Sequence, residues 1–248
     1  MNMPKKQKPI IGITLDWEVK GTFSDAPYYA LRENYFTAIY NAGGIPIAIP
    51  YIKEEISTYL NIIDGLVIPG GDFAFPKEWY LDKKEQSPYN STPRLEFDIE
   101  IIKAALELNK PLLTICAGMQ ILACLHGAKL TSQIKTNIEH RSKKRNEFIH
   151  DINIVPATLL AEIIKTNKAK VNSVHIEGLT TLNPADLHTS KIIVNAAALD
   201  GTTEAISIKN QAFALGVQWH PEFFSHNEKA KEEPIHEAIF MALIKNAK

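Results

Sequence analysis

The sequence predicts a three-layer α/β sandwich built around a mostly parallel central sheet. Short apolar segments alternate with segments whose apolar residues recur at helical spacing, and this alternation is typical of βαβ units. A buried-strand pattern at Leu112–Ile115 passes directly into a helical pattern at Ala117, as at the strand–helix turns of such folds. We expect a flexible N-terminus, residues 1–8, and a single domain, residues 9–248, which is long enough to bury a full core.

The individual elements follow from the apolar runs and the helical repeats. Strands are predicted at 9–15, 45–50, 65–69, 112–115, 148–155, 192–198 and 204–208, and in a last run from Phe213 that Pro221 ends. Helices are predicted at 32–42, 54–63, 94–108, from Ala117 towards Gly127, at 159–164 and at 234–247. The strand at 148–155 is expected at an edge of the sheet because its apolar and polar residues alternate.

Cys116 lies at the turn between the buried strand and the helix that follows. Such a turn holds a side chain in a fixed pose above the sheet, as in a nucleophile elbow, and Gly118 allows the helix start to pack closely on the strand. The helix N-terminus favours a thiolate. A buried structural cysteine is the alternative, because free cysteines are often buried, so a nucleophile requires a base elsewhere in the chain.

His220 and Glu222 supply that base and a carboxylate to orient it. They flank Pro221, which cannot extend a strand ladder and therefore ends the last strand. His220 is expected to project into the crevice above the sheet, with Glu222 turned back onto its ring. Cys116, His220 and Glu222 together have the composition of a nucleophilic triad.

The residues around Cys116 and His220 carry a family resemblance. Ile115-Cys-Ala-Gly-Met-Gln120 and Gly216-Val-Gln-Trp-His-Pro-Glu222 resemble motifs of the class I glutamine amidotransferase superfamily, which implies a flavodoxin-like fold. Within the superfamily the sequence is most similar to the gamma-glutamyl hydrolase-like branch, peptidase C26, which includes the bacterial gamma-glutamyl-gamma-aminobutyrate hydrolases. Further segments extend the resemblance from Ile10 to about Leu243; they are 42–46, 68–72, 171–175 and 200–206.

The resemblance implies an acyl-transfer site with no cofactor. The backbone amides of Gly71 and Ala117 are expected to hold an oxyanion, because a Gly-Gly pair at the carboxyl end of a parallel strand lies where such sheets bind ligands. A plain turn is the alternative for any Gly-Gly pair alone. The residues implied at the substrate are Gly70, Gln120, Ser173 and His175.

Two residues depart from the family pattern. Ala117 stands where arginine is usual, which keeps the backbone amide and loses an arginine contact. Glu177 stands where glutamine is common, and we expect it to add negative charge near a substrate that is itself acidic. Both departures bear on substrate identity more than on the chemistry.

Two further segments and one charged pair lie outside these motifs. Residues 72–92 form a long, aromatic-rich connection, interpreted as a lid that shapes the substrate pocket, with an ordinary surface insertion as the alternative. Arg94 and Asp98 are expected to form a surface or interface pair that contributes little alone. The basic segment 135–147 is expected to be a solvated loop, with a nucleic-acid patch as the alternative.

Composition excludes several classes of function. The 27 basic and 28 acidic residues give a net charge of −1, so neither a nucleic-acid partner nor a membrane partner is expected. No signal peptide is recognised, and the default is a cytoplasmic protein with unpaired cysteines. The histidines outside the motifs show no ligand spacing, so no metal is expected; they are His126, His140, His150, His188, His226 and His236.

The sequence thus predicts a cysteine-dependent hydrolase that cleaves gamma-glutamyl amide bonds through a gamma-glutamyl thioester. The gamma-glutamyl group is implied by the resemblance alone. Two alternatives are open: a glutaminase subunit that passes ammonia to a separate synthase, and a catalytically silent relative that acts as a binding or redox module. The amine leaving group, the pathway and the oligomeric state, for which a homodimer is one option, are left open.

Overall fold

The computed structural model describes residues 8–82, 84–179, 191–225 and 231–248. Except for Lys8, the segment predicted to be a flexible N-terminus lies outside these ranges. The helices are α1 Glu33–Asn41, α2 Ile56–Ile62, α3 Arg94–Glu107, α4 Ala117–Leu125, α5 Leu159–Ile164 and α6 Ile235–Asn246. The strands are β1 Ile10–Thr14, β2 Asp16–Glu18, β3 Tyr28–Ala30, β4 Ile45–Ile49, β5 Gly65–Ile68, β6 Leu112–Ile115, β7 Leu130–Thr131, β8 His150–Ile154, β9 Lys168–Val171, β10 Gly178–Leu179, β11 Ile192–Ala198, β12 Thr203–Ile208 and β13 Ala214–Val217.

A nine-stranded sheet in the order β4-β1-β5-β6-β13-β12-β11-β8-β9 forms the centre of the molecule. The strands from β4 to β13 run parallel to one another. From β13 to β9 each neighbouring pair is antiparallel. The strand β6 therefore lies well inside the sheet, and its carboxyl end meets those of β5 and β13, where parallel sheets place ligands.

Two hydrophobic cores, one on each face of the sheet, make the fold a three-layer sandwich. Leu112 of β6 packs into the core under α2, α3 and α4, whereas Leu113 and Ile115 pack into the core under α1, α5 and α6. Because successive side chains of a strand point to opposite faces, a strand covered on both faces is mostly apolar at successive positions. All four side chains of Leu112–Ile115 are buried, and Thr114 is the polar one among them. Among the described residues no helix is both long and apolar enough to cross a membrane.

The predicted architecture is confirmed, and the differences lie mainly at the sheet margins. The strand predicted at 148–155 is β8 and is not an edge strand, because β9 pairs along its outer side. The small ribbons β2–β3 and β7–β10 were not expected; two or three residues are too few to show a period. The last strand ends at Val217 rather than at Pro221.

Candidate active site

Cys116 sits on a strained turn between β6 and α4. Its backbone has φ 52° and ψ −109°, a region that residues with a side chain rarely occupy. The amide of Cys116 donates to the Val217 carbonyl at 2.8 Å, which ties the turn to β13. A Cβ on Gly118 would lie 2.5 Å from the Ile68 carbonyl oxygen. The first turn of α4 therefore packs against the end of β5, whereas the sequence predicted close packing on β6, and only glycine fits there.

His220 and Glu222 meet Cys116 at the end of β13. The ring Nδ1 of His220 lies 2.7 Å from Glu222 Oε1, and both side chains are buried. Burial alone would lower the pKa of His220, but the Glu222 carboxylate and the hydrogen-bonded Cys116 raise it from 6.5 to about 10. At neutral pH the ring is therefore an imidazolium held between a carboxylate and the cysteine sulfur.

Gly70 packs against this group and leaves no room for a side chain. A Cβ on Gly70 would lie 2.5 Å from His220 Cε1 and 3.1 Å from Cys116 Cβ. The Gly70 amide donates to the Tyr35 hydroxyl at 3.1 Å, and that hydroxyl also lies 3.4 Å from His220 Nδ1. The Gly70 amide is therefore not available to a ligand, whereas Gly71 lines the cavity. Tyr35 belongs to α1, where helical spacing cannot distinguish a ring in the core from a ring that makes a hydrogen bond.

Arg94 supports the Gly-Gly loop from below, and the prediction that it belongs to a surface pair is wrong. Its side chain is fully buried, with Nε 2.9 Å from Asp98 Oδ2 and Nη1 3.2 Å from Asp16 Oδ1. Nη1 also donates to the Gly70 carbonyl at 2.9 Å, and Nη2 donates to the Pro69 carbonyl. The i, i+4 spacing is the same for buried and exposed pairs, so the sequence could not separate the two.

Asn172 fixes the backbone of His220. Its Oδ1 accepts from the His220 amide at 2.9 Å, and its Nδ2 donates to the His220 carbonyl at 3.0 Å. The motif 171–175 therefore holds the histidine-bearing loop by a two-point amide contact. The sequence marked this motif but gave no role to its asparagine.

A cavity of about 460 Å³ opens above Cys116 and His220. Its wall carries charges of both signs, contributed by Asp16, Glu18, Lys20, Arg32, Asp72 and Arg145. The connection predicted as a pocket-shaping lid lines this cavity through Pro88, Tyr89, Asn90 and Thr92, while its aromatic residues Phe73, Phe75 and Tyr80 are buried in the core. The basic segment 135–147 is not simply solvated, because Arg145 reaches the cavity wall.

All four residues predicted at the substrate lie outside the lining of this cavity: Gly70, which packs beneath it against His220, and Gln120, Ser173 and His175. Gln120 Nε2 donates to the Glu177 carbonyl at 2.8 Å, and Ser173 Oγ donates to the His140 carbonyl at 2.9 Å. His175 is buried and directed away, towards Glu204. Their polar groups bind other parts of the chain, so the structure gives them internal roles.

Glu177 also lies away from the cavity, contrary to the expectation that it faces the substrate. The Tyr80 hydroxyl donates to Oε1, and the Ser87 hydroxyl donates to Oε2 at 3.3 Å. Burial raises the pKa of the Glu177 carboxyl to about 7, although these two donors act in the opposite direction. Glu177 thus fastens the connection 72–92 to the segment that follows β9.

One group of potential metal ligands lies elsewhere in the described part of the chain. It comprises His140, His150 and Glu204, with ligand atoms within 4.8 Å of one another. Two of these histidines were given no role by the sequence because no regular spacing joins them. No cavity-lining residue above Cys116 belongs to this group.

Comparison with known families agrees with this geometry. The family model for peptidase C26 matches residues 9–222. The chain belongs to the peptidase C26 family. The relatives include a glutamine amidotransferase-like protein of Rickettsia prowazekii, 35% identical over 98% of this chain and 99% of the relative. They also include the gamma-glutamyl-gamma-aminobutyrate hydrolase of Escherichia coli, 30% identical over 88% of this chain and 87% of the relative. This peptidase C26 chain is accordingly an enzyme of the hydrolase or amidotransferase type.

Solved structures bear out the fold of this C26 chain. The glutaminase domain of Trypanosoma brucei CTPS, solved with bound acivicin, superposes with a TM-score of 0.60 at 18% identity and covers 96% of this chain and 94% of that one. A protein of Thermoplasma acidophilum assigned to GMP synthase superposes with a TM-score of 0.63 at 16% identity, covering 98% of this chain and 96% of that one. The flavodoxin-like, class I glutamine amidotransferase-like fold is therefore confirmed.

Proposed function

We propose that this protein hydrolyses gamma-glutamyl amide bonds through a triad of Cys116, His220 and Glu222. The observation that carries the proposal is the contact of one buried imidazole ring with a carboxylate on one side and a strained, cavity-facing cysteine on the other. A structural or redox cysteine requires no such base. The kinship with a gamma-glutamyl-gamma-aminobutyrate hydrolase supports the substrate class.

His220 first takes the proton of Cys116. The Cys116 thiolate attacks the amide carbonyl, and the carbon–oxygen electron pair moves onto oxygen. The amides of Gly71 and of Ala117, which opens α4 where first-turn N–H groups have no helical acceptor, then hold that oxyanion. His220 donates its proton to the leaving nitrogen, which departs as the amine and leaves a thioester on Cys116.

Water completes the cycle. His220, now neutral, takes a proton from a water molecule that attacks the thioester carbonyl. The gamma-carboxylic acid leaves, and the thiolate–imidazolium pair returns. Glu222 keeps the ring oriented and its Nδ1 protonated throughout, so it acts on His220 rather than on the substrate.

The cavity wall supports an amino-acid head as the bound group. A gamma-glutamyl residue carries both an α-carboxylate and an α-ammonium, and the wall offers both cations, such as Arg145, and anions, such as Asp16. Ala117 differs from the arginine that is usual at this position only in its side chain, so the backbone N–H proposed as an oxyanion donor is kept.

The test is steady-state hydrolysis of a panel of gamma-glutamyl amides, with glutamine included. Turnover of several amides, lost in Cys116→Ala and reduced less severely in Glu222→Gln, is expected, because removing Glu222 leaves the nucleophile and the base in place. Turnover of glutamine alone, rising when a synthase is added, would instead identify an ammonia-supplying protein. No turnover and no Cys116 adduct with a glutamine-mimicking chloroketone would identify a silent binding module.

A further inference from the structure

A second group of buried polar side chains lies apart from the cavity above Cys116. His140, His150 and His175 surround the carboxylate of Glu204, and all four side chains are at least 95% buried. His140 Nδ1 lies 3.5 Å from Glu204 Oε1, while His150 Nε2 and His175 Nε2 each lie 3.7 Å from the same oxygen. Three imidazole nitrogens are thus directed at one carboxylate oxygen.

None of these facing atoms has a hydrogen-bond partner within the described part of the chain. The three facing nitrogens and both carboxylate oxygens of Glu204 are buried without one. An ionised carboxylate and imidazoles left in this state would be costly in a protein interior. The arrangement therefore calls for a cation at its centre, which is either a proton or a metal ion.

The second nitrogen of each ring shows which atom can bind a metal. His175 Nδ1 lies 3.0 Å from the Glu177 carbonyl, and His150 Nδ1 lies 3.2 Å from the Asp151 carbonyl. A carbonyl only accepts hydrogen bonds, so both Nδ1 atoms carry a hydrogen, and Nε2 is the atom of each ring that can offer a lone pair to a metal ion at the centre.

His140 follows the same pattern with its nitrogens exchanged. Its Nε2 lies 2.9 Å from Asp200 Oδ2, so Nε2 carries the hydrogen and Nδ1 directs a lone pair at Glu204. A metal-binding histidine commonly donates its other N–H to a carbonyl or a carboxylate, which fixes the tautomer. All three rings meet that condition.

The distances fit a metal ion better than a shared proton. Two ligand atoms that each lie about 2.1 Å from a tetrahedral ion are about 3.4 Å apart. The separations of 3.5 and 3.7 Å between the three nitrogens and Glu204 Oε1 are close to that value and too long for direct hydrogen bonds of normal strength. The ligand atoms of His140, His150 and Glu204 all lie within 4.8 Å of one another, so an ion would draw them together. Three imidazoles and one carboxylate form a ligand set that suits a divalent transition ion such as Zn²⁺.

A second cavity provides a route for the ion. It has a volume of about 430 Å³ and is lined by Asp200, Thr202 and residues 131–136, among others. Asp200 is the residue that contacts the ring of His140. Solvent thus comes within one side chain of the cluster, as a metal site requires an entry path.

We infer that the buried group His140, His150 and Glu204, with His175 directed at the same carboxylate oxygen, forms a site for a divalent transition-metal ion that has a structural role. With His175 as the fourth ligand no position is open for substrate or water, which is the pattern of structural sites. The ligands come from the segment before β8, from β8, from the segment after β9 and from β12. The ion joins these segments and holds the stretch in which Asn172 brackets His220.

The primary test uses the wild-type protein and needs no variant. After dialysis against a chelator, the protein is titrated with Co²⁺, whose visible absorption is intense in a tetrahedral site, and then with Zn²⁺. We expect uptake of about one equivalent, the tetrahedral absorption spectrum, its loss when Zn²⁺ displaces Co²⁺, and a higher Tm with metal. A folded wild type that develops no Co²⁺ absorption would overturn the proposal and leave a proton as the central cation.

Variants separate this site from adventitious binding. His150→Ala and Glu204→Gln should each weaken Zn²⁺ binding by at least about tenfold. His126→Ala, which alters a histidine at the end of α4 whose ring contacts the Leu122 carbonyl, should bind as the wild type does. Unchanged affinity in both His150→Ala and Glu204→Gln would place the bound metal elsewhere and contradict the assignment.

Discussion

Cys116 and Cys124 belong to the same turn-and-helix unit, yet their surroundings differ. Cys116 precedes α4, borders the cavity and contacts the His220 imidazolium. Cys124 is packed into the apolar core beneath α3 and α4, and burial raises the pKa of its thiol. Iodoacetamide at about pH 6 should therefore alkylate Cys116 first, because the thiolate is the reactive form.

Peptide mass spectrometry after brief labelling measures the two sites separately. The Cys116→Ser variant is the control and should take up almost no label under the same conditions. Faster labelling of Cys124 in the folded wild type would contradict the elbow geometry.

Arg145 is the cation of the basic segment that reaches the cavity wall, and its guanidinium lies over the Phe223 ring, 5.9 Å from its centre. If it binds the carboxylate of the gamma-glutamyl group, Arg145→Ala should raise KM about tenfold, with a smaller change in kcat, since one charged hydrogen bond is worth about 1.5–3 kcal/mol. Steady-state kinetics on a gamma-glutamyl amide measure this.

Two variants serve as controls, one for the loss of any positive charge from this segment and one for the carboxylate that the sequence placed near the substrate. Lys143→Ala removes an exposed cation of the same segment and should leave KM unchanged. Glu177→Gln should also leave KM unchanged, because Glu177 binds Tyr80 and Ser87 rather than facing the cavity. A lower KM in Glu177→Gln would restore the view that this carboxylate repels the substrate.

At the scale of elements, the loop after β5 depends on a helix that follows it in the chain. Arg94, at the start of α3, binds Asp98 and the carbonyls of Pro69 and Gly70. Replacing it by methionine leaves a buried carboxylate unpaired, so Arg94→Met should lower the free energy of unfolding by about 3–5 kcal/mol. Urea denaturation measures the change.

Lys53, which lies just before α2, offers a matched control because it pairs with exposed glutamates of α3. It pairs with Glu96 and Glu100 in solvent, so Lys53→Ala should change the unfolding free energy far less than Arg94→Met does. Equal effects of the two substitutions would mean that the buried Arg94–Asp98 pair contributes no more to the free energy of unfolding than an exposed pair does.

The sequence predicted elements well where a local pattern was long enough. The apolar run Leu112–Ile115, followed by helical spacing from Ala117, placed β6, the turn and α4 correctly. Prediction from the sequence failed where the place of a strand in the sheet depends on which strands lie beside it. The four residues Lys168–Val171 are too short to show that they form an outer strand, and this omission made β8 look like an edge.

The site residues also divide into those that a local pattern marks and those whose roles depend on tertiary contacts. Cys116, His220 and Glu222 were found because strand ends and a proline mark them locally. The roles of Tyr35 and Arg94 depend on what lies opposite them in the folded chain. The histidines around Glu204 come from separate segments, so no spacing rule could bring them together.

At the scale of the whole molecule, stability should depend on pH through His220. Its pKa rises from 6.5 to about 10 on folding, although burial opposes this, because Glu222 and Cys116 favour the charged ring. A raised pKa means that the folded state holds the proton more tightly. The resulting stabilisation is complete below about pH 6.5 and is lost as pH rises through about 10.

Glu222→Gln removes the main favourable partner of that charge. The difference in unfolding free energy between wild type and Glu222→Gln should be largest near pH 6 and should shrink towards pH 10, as measured by urea denaturation across that range. Glu107→Gln, at an exposed position near the end of α3, should give a difference that does not vary with pH. A Glu222→Gln difference that grows with pH would show that the pair does not stabilise the protonated ring.

The two outer strands of the sheet, β4 and β9, determine whether two copies of this protein can pair edge to edge. β4 contains Pro46, which has no N–H to offer, and β9 exposes Lys168 and Lys170 along its length. Both are devices that blunt open strand edges. Two molecules that met edge to edge would form a broken ladder at β4 and would bring like charges together at β9. Within the described part of the chain both margins of the nine-stranded sheet thus oppose the addition of a further strand, and concentrated solutions of the folded protein should resist fibril formation.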